Sequence, residues 1–273
     1  MTRSGTSGDC IRVQWPPTGR HTRGLVTAVD LLRARAGADP ALDLALSAAL
    51  LEMVARGERG PVLRSYRPLP TVAFSRRDTF LPGFERAAAA ARARGFAPVI
   101  RPAGGRAAAY DEGCLIVDEI MPAADSMAEI RERFAEGATL QAAALRRLGV
   151  DARVGEVAGE YCPGEFSVNA RGETKLIGSA QRIVRGAWLL SAVVVVTSAD
   201  RLRPVLEEVY RARGLEWMPA TTGAVGAEVP GATVDDVEQA LLDAYAARYA
   251  LTPASPTSAE LEAARAALTR TEP

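Results

Sequence analysis

The chain has 273 residues, 48% of them apolar, and its 33 basic and 33 acidic residues balance to a net charge of zero. This length and composition predict one large globular domain, or one domain with a small appendage. No apolar run is long enough to span a bilayer, and the N-terminus lacks the apolar core of a secretion signal, so we expect a cytoplasmic protein without membrane partners. Zero net charge and the lack of a basic stripe argue against nucleic-acid binding.

The first half of the chain alternates helical and extended patterns. Residues 1–24 are rich in Gly, Ser, Thr, Arg and Pro and predict a flexible N-terminal arm, so the folded domain is expected to begin at 25. The patterns that follow predict a helix over 40–57, two short strands within 61–78, a helix over 85–95, a strand over 96–102, a loop over 103–113, a strand over 114–122 and a helix over 128–149.

The second half turns to β-structure before two further helices. Extended patterns fill 152–197, and helices are expected over 199–213 and 233–249. Residues 251–273 predict a Pro/Ser/Thr linker and a short C-terminal helix, which leaves 25–250 as the main domain. Strands that follow one another as hairpins, mixed with helices, predict an α+β fold with a mainly antiparallel or mixed sheet flanked by helices.

Lysine occurs once in the chain, as Lys175, whereas arginine occurs 32 times. A compositional bias explains a lone lysine as a surface residue. The alternative is a site that needs a compact ammonium with three donors, which a planar guanidinium cannot imitate. The only histidine, His21, lies in the predicted arm, which argues against Ser-His-Asp and Cys-His catalysis and leaves no metal-binding pattern.

The three cysteines differ in their surroundings. Cys10, Cys114 and Cys162 are an odd number spread far apart, which argues against a disulfide framework. Cys114 opens an apolar strand, as a small buried residue would. Cys162 instead lies in the Pro/Gly-rich stretch GEYCPGEFSVN, thirteen residues before Lys175. That loop setting makes Cys162 the candidate reactive thiol.

Small residues mark two further stretches. Gly104 and Gly105 allow positive φ and a close approach of the backbone to a ligand, although most Gly-Gly pairs are plain turns. After Lys175, Gly178 and Ala180 lack bulk, as expected where a ligand lies against a strand. Neither stretch defines a site by itself.

The ordered stretches PALDLALSAALL, RSYRPLPTVAFSRRD, VIRPAGGRAAAYDEG, ARVGEV and SVNARGETKLIGSAQRIVRGAWLL, within residues 40–249, resemble the lipoate–protein ligase and octanoyltransferase family. The resemblance implies a class II synthetase-like catalytic domain of the kind shared with biotin–protein ligases. It also implies an acyl-binding loop, a lysine at the acyl carbonyl and small residues along the acyl pocket, at these positions: Arg101, Gly104, Gly105 and Arg106 for the loop, Lys175 for the carbonyl, and Gly178, Ser179 and Ala180 for the pocket.

The resemblance implies an acyltransferase of protein lipoylation that needs no cofactor. An octanoyl or lipoyl group would pass from a thioester donor such as acyl carrier protein, through a thioester on Cys162, to a lysine of a lipoyl domain. The acceptor would be a 2-oxoacid dehydrogenase or the glycine cleavage H protein. Lys175 beside Cys162 would favour the thiolate and stabilise the oxyanion. No metal site is expected for this reaction.

Two alternatives stay open. The first is an ATP-dependent lipoate–protein ligase that uses ATP and Mg²⁺ and acts through lipoyl-AMP. Two features favour the transferase instead. Ligases of this family usually have a third glycine where Arg106 follows Gly105, and the sequence after 250 is too short for the extra C-terminal domain that they commonly carry. Tyr110 stands where both classes typically have histidine. The second alternative is therefore a non-catalytic acyl-binding protein of the same fold.

Overall fold

The computed structural model describes residues 27–123, 127 and 129–269. The predicted arm over 1–24, with Cys10 and His21, lies outside the described residues. The strands, numbered in chain order, are β1 (Ala28–Leu32), β2 (Val62–Tyr66), β3 (Thr71–Ser75), β4 (Ala97–Arg101), β5 (Ala108–Tyr110), β6 (Cys114–Pro122), β7 (Ala152–Val154), β8 (Val168–Ala170), β9 (Thr174–Val184), β10 (Ala187–Val195) and β11 (Ala250–Ala254).

Eight of these strands form one mixed sheet and three form a smaller one. The order in the main sheet is β11-β1-β2-β6-β10-β9-β8-β7, and the order in the small sheet is β4-β3-β5. β1 pairs in parallel with β11 and β2, whereas the pairs from β2 to β7 are antiparallel. The mixed sheet confirms the predicted fold class.

The helices are α1 (Pro40–Ala55), α2 (Phe84–Ala93), α3 (Ile130–Arg147), α4 (Ala199–Ala212), α5 (Val225–Glu228), α6 (Val234–Ala246) and α7 (Ser258–Thr269). α1 begins where expected, because Pro40 occupies the first turn and the Asp39 side chain accepts the Ala41 N–H. α3 and α6 pack on one face of the main sheet, and α1 and α7 pack on the other. A third apolar cluster joins the small sheet to α2 and α4.

Three strands are absent from the sequence-based prediction. β5 lies within the expected loop over 103–113, and β11 lies in the expected linker after 250. β1 precedes the first predicted helix. β1 and β11 pair with each other at the edge of the main sheet, and neither short segment has a strong strand pattern of its own, so the sequence predicts neither strand. Ala264 of α7 is fully buried against the α1 layer, so the packing continues beyond residue 250.

β9 contains a bulge that decides which way Lys175 points. Asn169 of β8 pairs with Lys175, but the residue before Asn169 pairs with Ile177, so Leu176 is an extra residue. Leu176 and Ile177 both pack into the same apolar core, and Lys175 lies on the side of Gly178. Such bulges re-aim side chains next to functional sites.

No helix in the described part of the chain is both long enough and apolar enough to cross a membrane.

Candidate active site

A cavity of about 480 Å³ lies against the main sheet where β2, β6, β10 and β9 run side by side. α1 covers part of it, and the segments 101–105 and 161–167 border it. Its lining is mostly apolar or small, including Leu44, Ile116, Val193, Gly178 and Ala180. Such a lining suits a flexible hydrocarbon chain.

Cys162 borders this cavity and is held at three of its atoms. Its N–H donates to the Tyr210 hydroxyl at 2.8 Å, its carbonyl accepts from Lys175 Nζ at 2.8 Å, and its Sγ accepts the Arg106 N–H at 3.2 Å. Its φ is +42°, in the left-handed region that few non-glycine residues adopt. Backbone strain of this kind persists where the surroundings enforce it, which often happens at functional sites.

Lys175 is buried, with 2% of its surface exposed. Its Nζ donates to Glu160 Oε1 at 3.2 Å, to the Tyr161 carbonyl at 3.2 Å and to the Cys162 carbonyl at 2.8 Å. It also lies 5.0 Å from the centre of the Tyr161 ring. The lone lysine therefore uses its three donors to hold the segment that carries the cysteine.

Glu160 is the buried counter-charge of Lys175, and it is not among the site residues predicted from the sequence. Besides the lysine, its carboxylate accepts the Gly164 N–H at 2.9 Å, the Ser167 hydroxyl at 2.7 Å and the Val157 N–H at 3.3 Å. Four donors make a buried carboxylate stable and fix the shape of the loop around Cys162. An acidic residue two positions before the candidate cysteine was the available signal.

The loop after β4 is organised by its own arginine. Arg101 Nη2 donates to the carbonyls of Gly104 and Arg106 at 2.7 and 2.9 Å, so this side chain folds back onto the loop. Gly105 has a φ of +96°, and an added Cβ would stand 2.8 Å from Arg101 Nη2 and 3.0 Å from Cys162 Sγ. A Cβ added to Gly104 would have no atom within 4 Å. Arg106 contributes its N–H, while its side chain is exposed.

The three small residues after Lys175 all line the cavity. A Cβ on Gly178 would stand 3.0 Å from Lys175 Cε and 3.4 Å from Nζ, so the missing side chain makes room for the lysine. Ser179 and Ala180 are partly buried beside it. The sequence predicts a ligand against the strand at Gly178. In the structure the Lys175 side chain lies against Gly178, which also lines the cavity.

Tyr110 and Cys114 lie close to the site but differ from the reactive candidate. Tyr110 is buried and lines the cavity, and burial raises its pKa, so it presents a protonated phenol where histidine was expected. Cys114 is fully buried, and burial raises the pKa of its thiol to about 12. Among the described cysteines, Cys162 is the one that reaches the cavity.

No group of three or more His, Cys, Asp or Glu side chains is arranged to hold a metal ion within residues 27–123, 127 and 129–269.

Comparison with solved structures defines the class of the fold. A crystal structure of lipoate-protein ligase A bound with ATP matches with a TM-score of 0.72 and 23% identity, covering 90% of this chain and 95% of that one. The T. acidophilum lipoate protein ligase Ta0514 matches with a TM-score of 0.70 and 25% identity over 90% and 95%. The fold is the α+β catalytic fold of these ligases, as predicted.

Sequence comparison identifies the family. The family model of the lipoyl protein ligase A/B catalytic domain matches residues 39–246. The chain belongs to this family, which confirms the resemblance seen in the sequence.

Two curated relatives carry the same name, octanoyl-[GcvH]:protein N-octanoyltransferase. The one from Anoxybacillus flavithermus is 34% identical over 165 residues, which are 60% of this chain and 59% of the relative. The one from Geobacillus kaustophilus is 30% identical over 168 residues, 62% of this chain and 59% of the relative. The matches thus span somewhat under two thirds of the relatives' length.

Proposed function

We propose that the chain is an octanoyltransferase of protein lipoylation that carries the octanoyl group as a thioester on Cys162. The acceptor is a lysine of a lipoyl domain. Membership of the family supports acyl transfer, and the names of the relatives support octanoyl as the acyl group. No cofactor enters this reaction.

One observation carries the proposal: the Cys162 sulfur borders an apolar cavity and accepts a backbone N–H from Arg106 at 3.2 Å. A main-chain donor aimed at the sulfur fixes its position at the edge of the cavity, where a cysteine nucleophile would meet the acyl carbonyl. The hydrogen bonds to the N–H and carbonyl of Cys162 prevent the strained residue from relaxing away from this position.

The reaction proceeds in two balanced steps. The Cys162 thiolate attacks the octanoyl carbonyl, a sulfur–carbon bond forms, and the bond to the donor breaks. The donor departs as a thiolate, or as an amine that takes one proton from the solvent, and the acceptor amine later returns one proton to the solvent. The amine of the acceptor lysine then attacks the thioester and loses its proton, and the thiolate is released.

Lys175 acts mainly by position. Because its three N–H groups are bound by Glu160, Tyr161 and Cys162, it fixes the cysteine segment beside the acyl carbonyl. Its charge is balanced by Glu160, so the pair is close to neutral as a unit. This role differs from direct contact with the acyl carbonyl, which the resemblance implies.

The name of the relatives places the octanoyl group on GcvH, the glycine cleavage H protein, and so suggests a donor. We therefore propose octanoylated GcvH as the first donor to test, with octanoyl-acyl carrier protein as the second. GcvH also serves as an acceptor if transfer between lipoyl domains is reversible. Lipoyl domains of 2-oxoacid dehydrogenases are the other acceptors.

The test is acyl transfer to a purified apo-lipoyl domain, followed by intact-protein mass spectrometry. Each donor is supplied in turn without ATP, and a parallel reaction contains free octanoate or lipoate with ATP and Mg²⁺. When octanoylated GcvH or octanoyl-acyl carrier protein is supplied without ATP, we expect an octanoyl adduct on Cys162 and on the acceptor domain. Modification that requires ATP would establish the ligase instead. Acyl binding without any transfer would establish a non-catalytic protein.

A further inference from the structure

The segment that includes most of the small sheet is basic, although the chain as a whole is neutral. Residues 75–106 contain seven arginines and two acidic residues. Three of the arginines are used within the fold. Arg94 pairs with Glu208, and Arg86 and Arg101 donate to backbone carbonyls. The other four arginines are exposed and have no acidic partner in the described part of the chain.

Exposed apolar side chains accompany these arginines. Phe80 is 79% exposed and Leu81 is 42% exposed, a few residues after Arg76 and Arg77. Arginine and aromatic side chains are enriched at protein interfaces, and a basic surface attracts acidic partners. With Arg106, these residues make up a surface that we call the basic rim: Arg76, Arg77, Phe80, Leu81 and Arg106.

The part of the basic rim that carries Phe80 is a short 3₁₀ helix, Arg76–Phe80. Ser75 and Asp78 cap it reciprocally, because each side chain accepts the backbone N–H of the other residue. The largely buried side chain of Arg213 donates to the Asp78 carbonyl at 2.7 Å and to its carboxylate at 3.0 Å. The exposed aromatic ring is therefore carried by a fixed backbone, which lowers the ordering cost of binding a partner.

Arg106 places one end of the basic rim at the candidate nucleophile. Its N–H donates to Cys162 Sγ at 3.2 Å, while its side chain is exposed. The rest of the rim leaves the small sheet at the same end, because β3 and β4 pair in parallel with Ser75 opposite Arg101. The 3₁₀ helix after β3 and the loop after β4 thus start side by side.

Helix α4 joins the other end of the basic rim to the same site. Its Tyr210 hydroxyl accepts the Cys162 N–H at 2.8 Å, and Arg213, about one helical turn further on, binds Asp78. The 3₁₀ helix and the cysteine segment are therefore held by consecutive turns of one helix. A protein that covers Cys162 from outside also covers the basic rim.

We propose that the basic rim docks the lipoyl domain, through an acidic face of that domain around its modified lysine. The inference rests on the proposed function, in which a lysine of a lipoyl domain reaches Cys162 in both steps. The octanoylated donor and the free acceptor then present the same face, so one docking surface serves both. Opposite charges on the two faces would steer the encounter and set its orientation.

The experiment measures the Kd of apo-GcvH for the full chain by calorimetric titration, so it does not depend on transfer. We expect the double variant Arg76→Glu/Arg77→Glu to bind about tenfold more weakly. Phe80→Ala should bind roughly tenfold more weakly as well, as the loss of an interface aromatic allows. Raising the salt from about 50 to about 500 mM should weaken binding by the wild type, and the double variant should lose most of that salt dependence.

The matched control is Arg147→Glu/Arg265→Glu, which reverses two exposed charges on α3 and α7. Those helices pack on the main sheet and not on the small one, so the Kd should not change. A second measurement uses the octanoyl thioester of N-acetylcysteamine, a donor without a protein part. Arg76→Glu/Arg77→Glu should form the Cys162 adduct with this donor at the wild-type rate. If that variant does not fold by circular dichroism, Arg76→Gln/Arg77→Gln replaces it.

Several results would overturn the docking surface: equal binding of apo-GcvH by the wild type and the rim variants, an equal loss in the control variant, or binding of acyl carrier protein in place of apo-GcvH. Slower adduct formation from the small thioester in the arginine variant would do so too, because the defect would then lie in the active site. Rim-dependent binding of apo-GcvH without any octanoyl transfer would contradict only the proposed function.

Discussion

Replacing Lys175 with arginine keeps the buried charge but changes its shape. The ammonium donates to three oxygens, those of Glu160, Tyr161 and Cys162, at 3.2, 3.2 and 2.8 Å. A guanidinium holds its donors in one plane and cannot converge on three oxygens around a single nitrogen. At least one charge-assisted hydrogen bond is lost, at a cost of about 1.5–3 kcal/mol. That cost corresponds to a factor of roughly 10 to 150 in the population of the ordered loop.

The larger group also lacks room. A Cβ on Gly178 would already stand 3.0 Å from Lys175 Cε, so the side chain lies directly on that glycine. An arginine must extend toward the acyl cavity or push the cysteine segment outward. We expect octanoyl transfer by Lys175→Arg to fall by roughly 10- to 150-fold, in proportion to the loss of the ordered loop. The melting temperature should fall by only about 3–12 °C, at ~2–4 °C per kcal/mol for a domain of this size.

The assay is kcat/KM for transfer to a lipoyl domain, measured beside a thermal melt of the same preparation. Arg185→Lys is the matched control, because Arg185 is exposed in the turn between β9 and β10 and should tolerate the reverse exchange. Near-normal turnover by Lys175→Arg with an unchanged melting temperature would refute the argument. The three hydrogen bonds would then have no functional consequence, and the single lysine would be an accident of composition.

Three other predictions test the site. Cys162→Ser should abolish transfer and the octanoyl adduct, while Cys114→Ser, which alters a fully buried thiol, should keep both; an active Cys162→Ser variant would exclude the thioester. Gly105→Val should lose activity because its Cβ meets Arg101 and Cys162 at positive φ, whereas Gly104→Ala should be mild, and equal rates for the two would contradict the clash. Burial raises the pKa of Asp118 in the folded state, so the wild type loses stability as the pH rises from about 4, the pKa of an aspartate in the unfolded chain, through the raised folded-state pKa; Asp118→Asn should gain unfolding free energy relative to wild type over that rise, and a constant difference in urea titrations would argue against it.

Most of the helices and the strands in the middle of the sheet follow from local pattern. α1 begins where Asp39 and Pro40 predict, and β6 and β10 are long strands made mostly of apolar residues. β1, β5 and β11 could not be found in this way, because short strands depend on the edge that a distant segment offers them. For the same reason the chain past residue 250 joins the domain through pairing and burial that no local pattern records.

Residue type and order along the chain define which groups make up the site: one lysine, a cysteine in a Pro/Gly-rich loop, a Gly-Gly turn and a strand of small residues. They also determine the family, because those stretches occur in a recognisable order. The directions in which these side chains point depend instead on the folded chain. Strict alternation along β9 would place Lys175 on the side of Ile177, opposite Gly178, and the bulge at Leu176 reverses this.

The buried partners were likewise decided by packing. Glu160 neutralises Lys175 and Asp118 lies beside Arg64 because strands and loops from distant parts of the chain meet around one cavity. From the sequence alone, an acidic residue is expected to be exposed to water. The fold determines which carboxylates are buried and which hydrogen-bond donors surround them. The physical reason is that burial and hydrogen-bond geometry are properties of the assembled core, whereas residue type and spacing are properties of the chain.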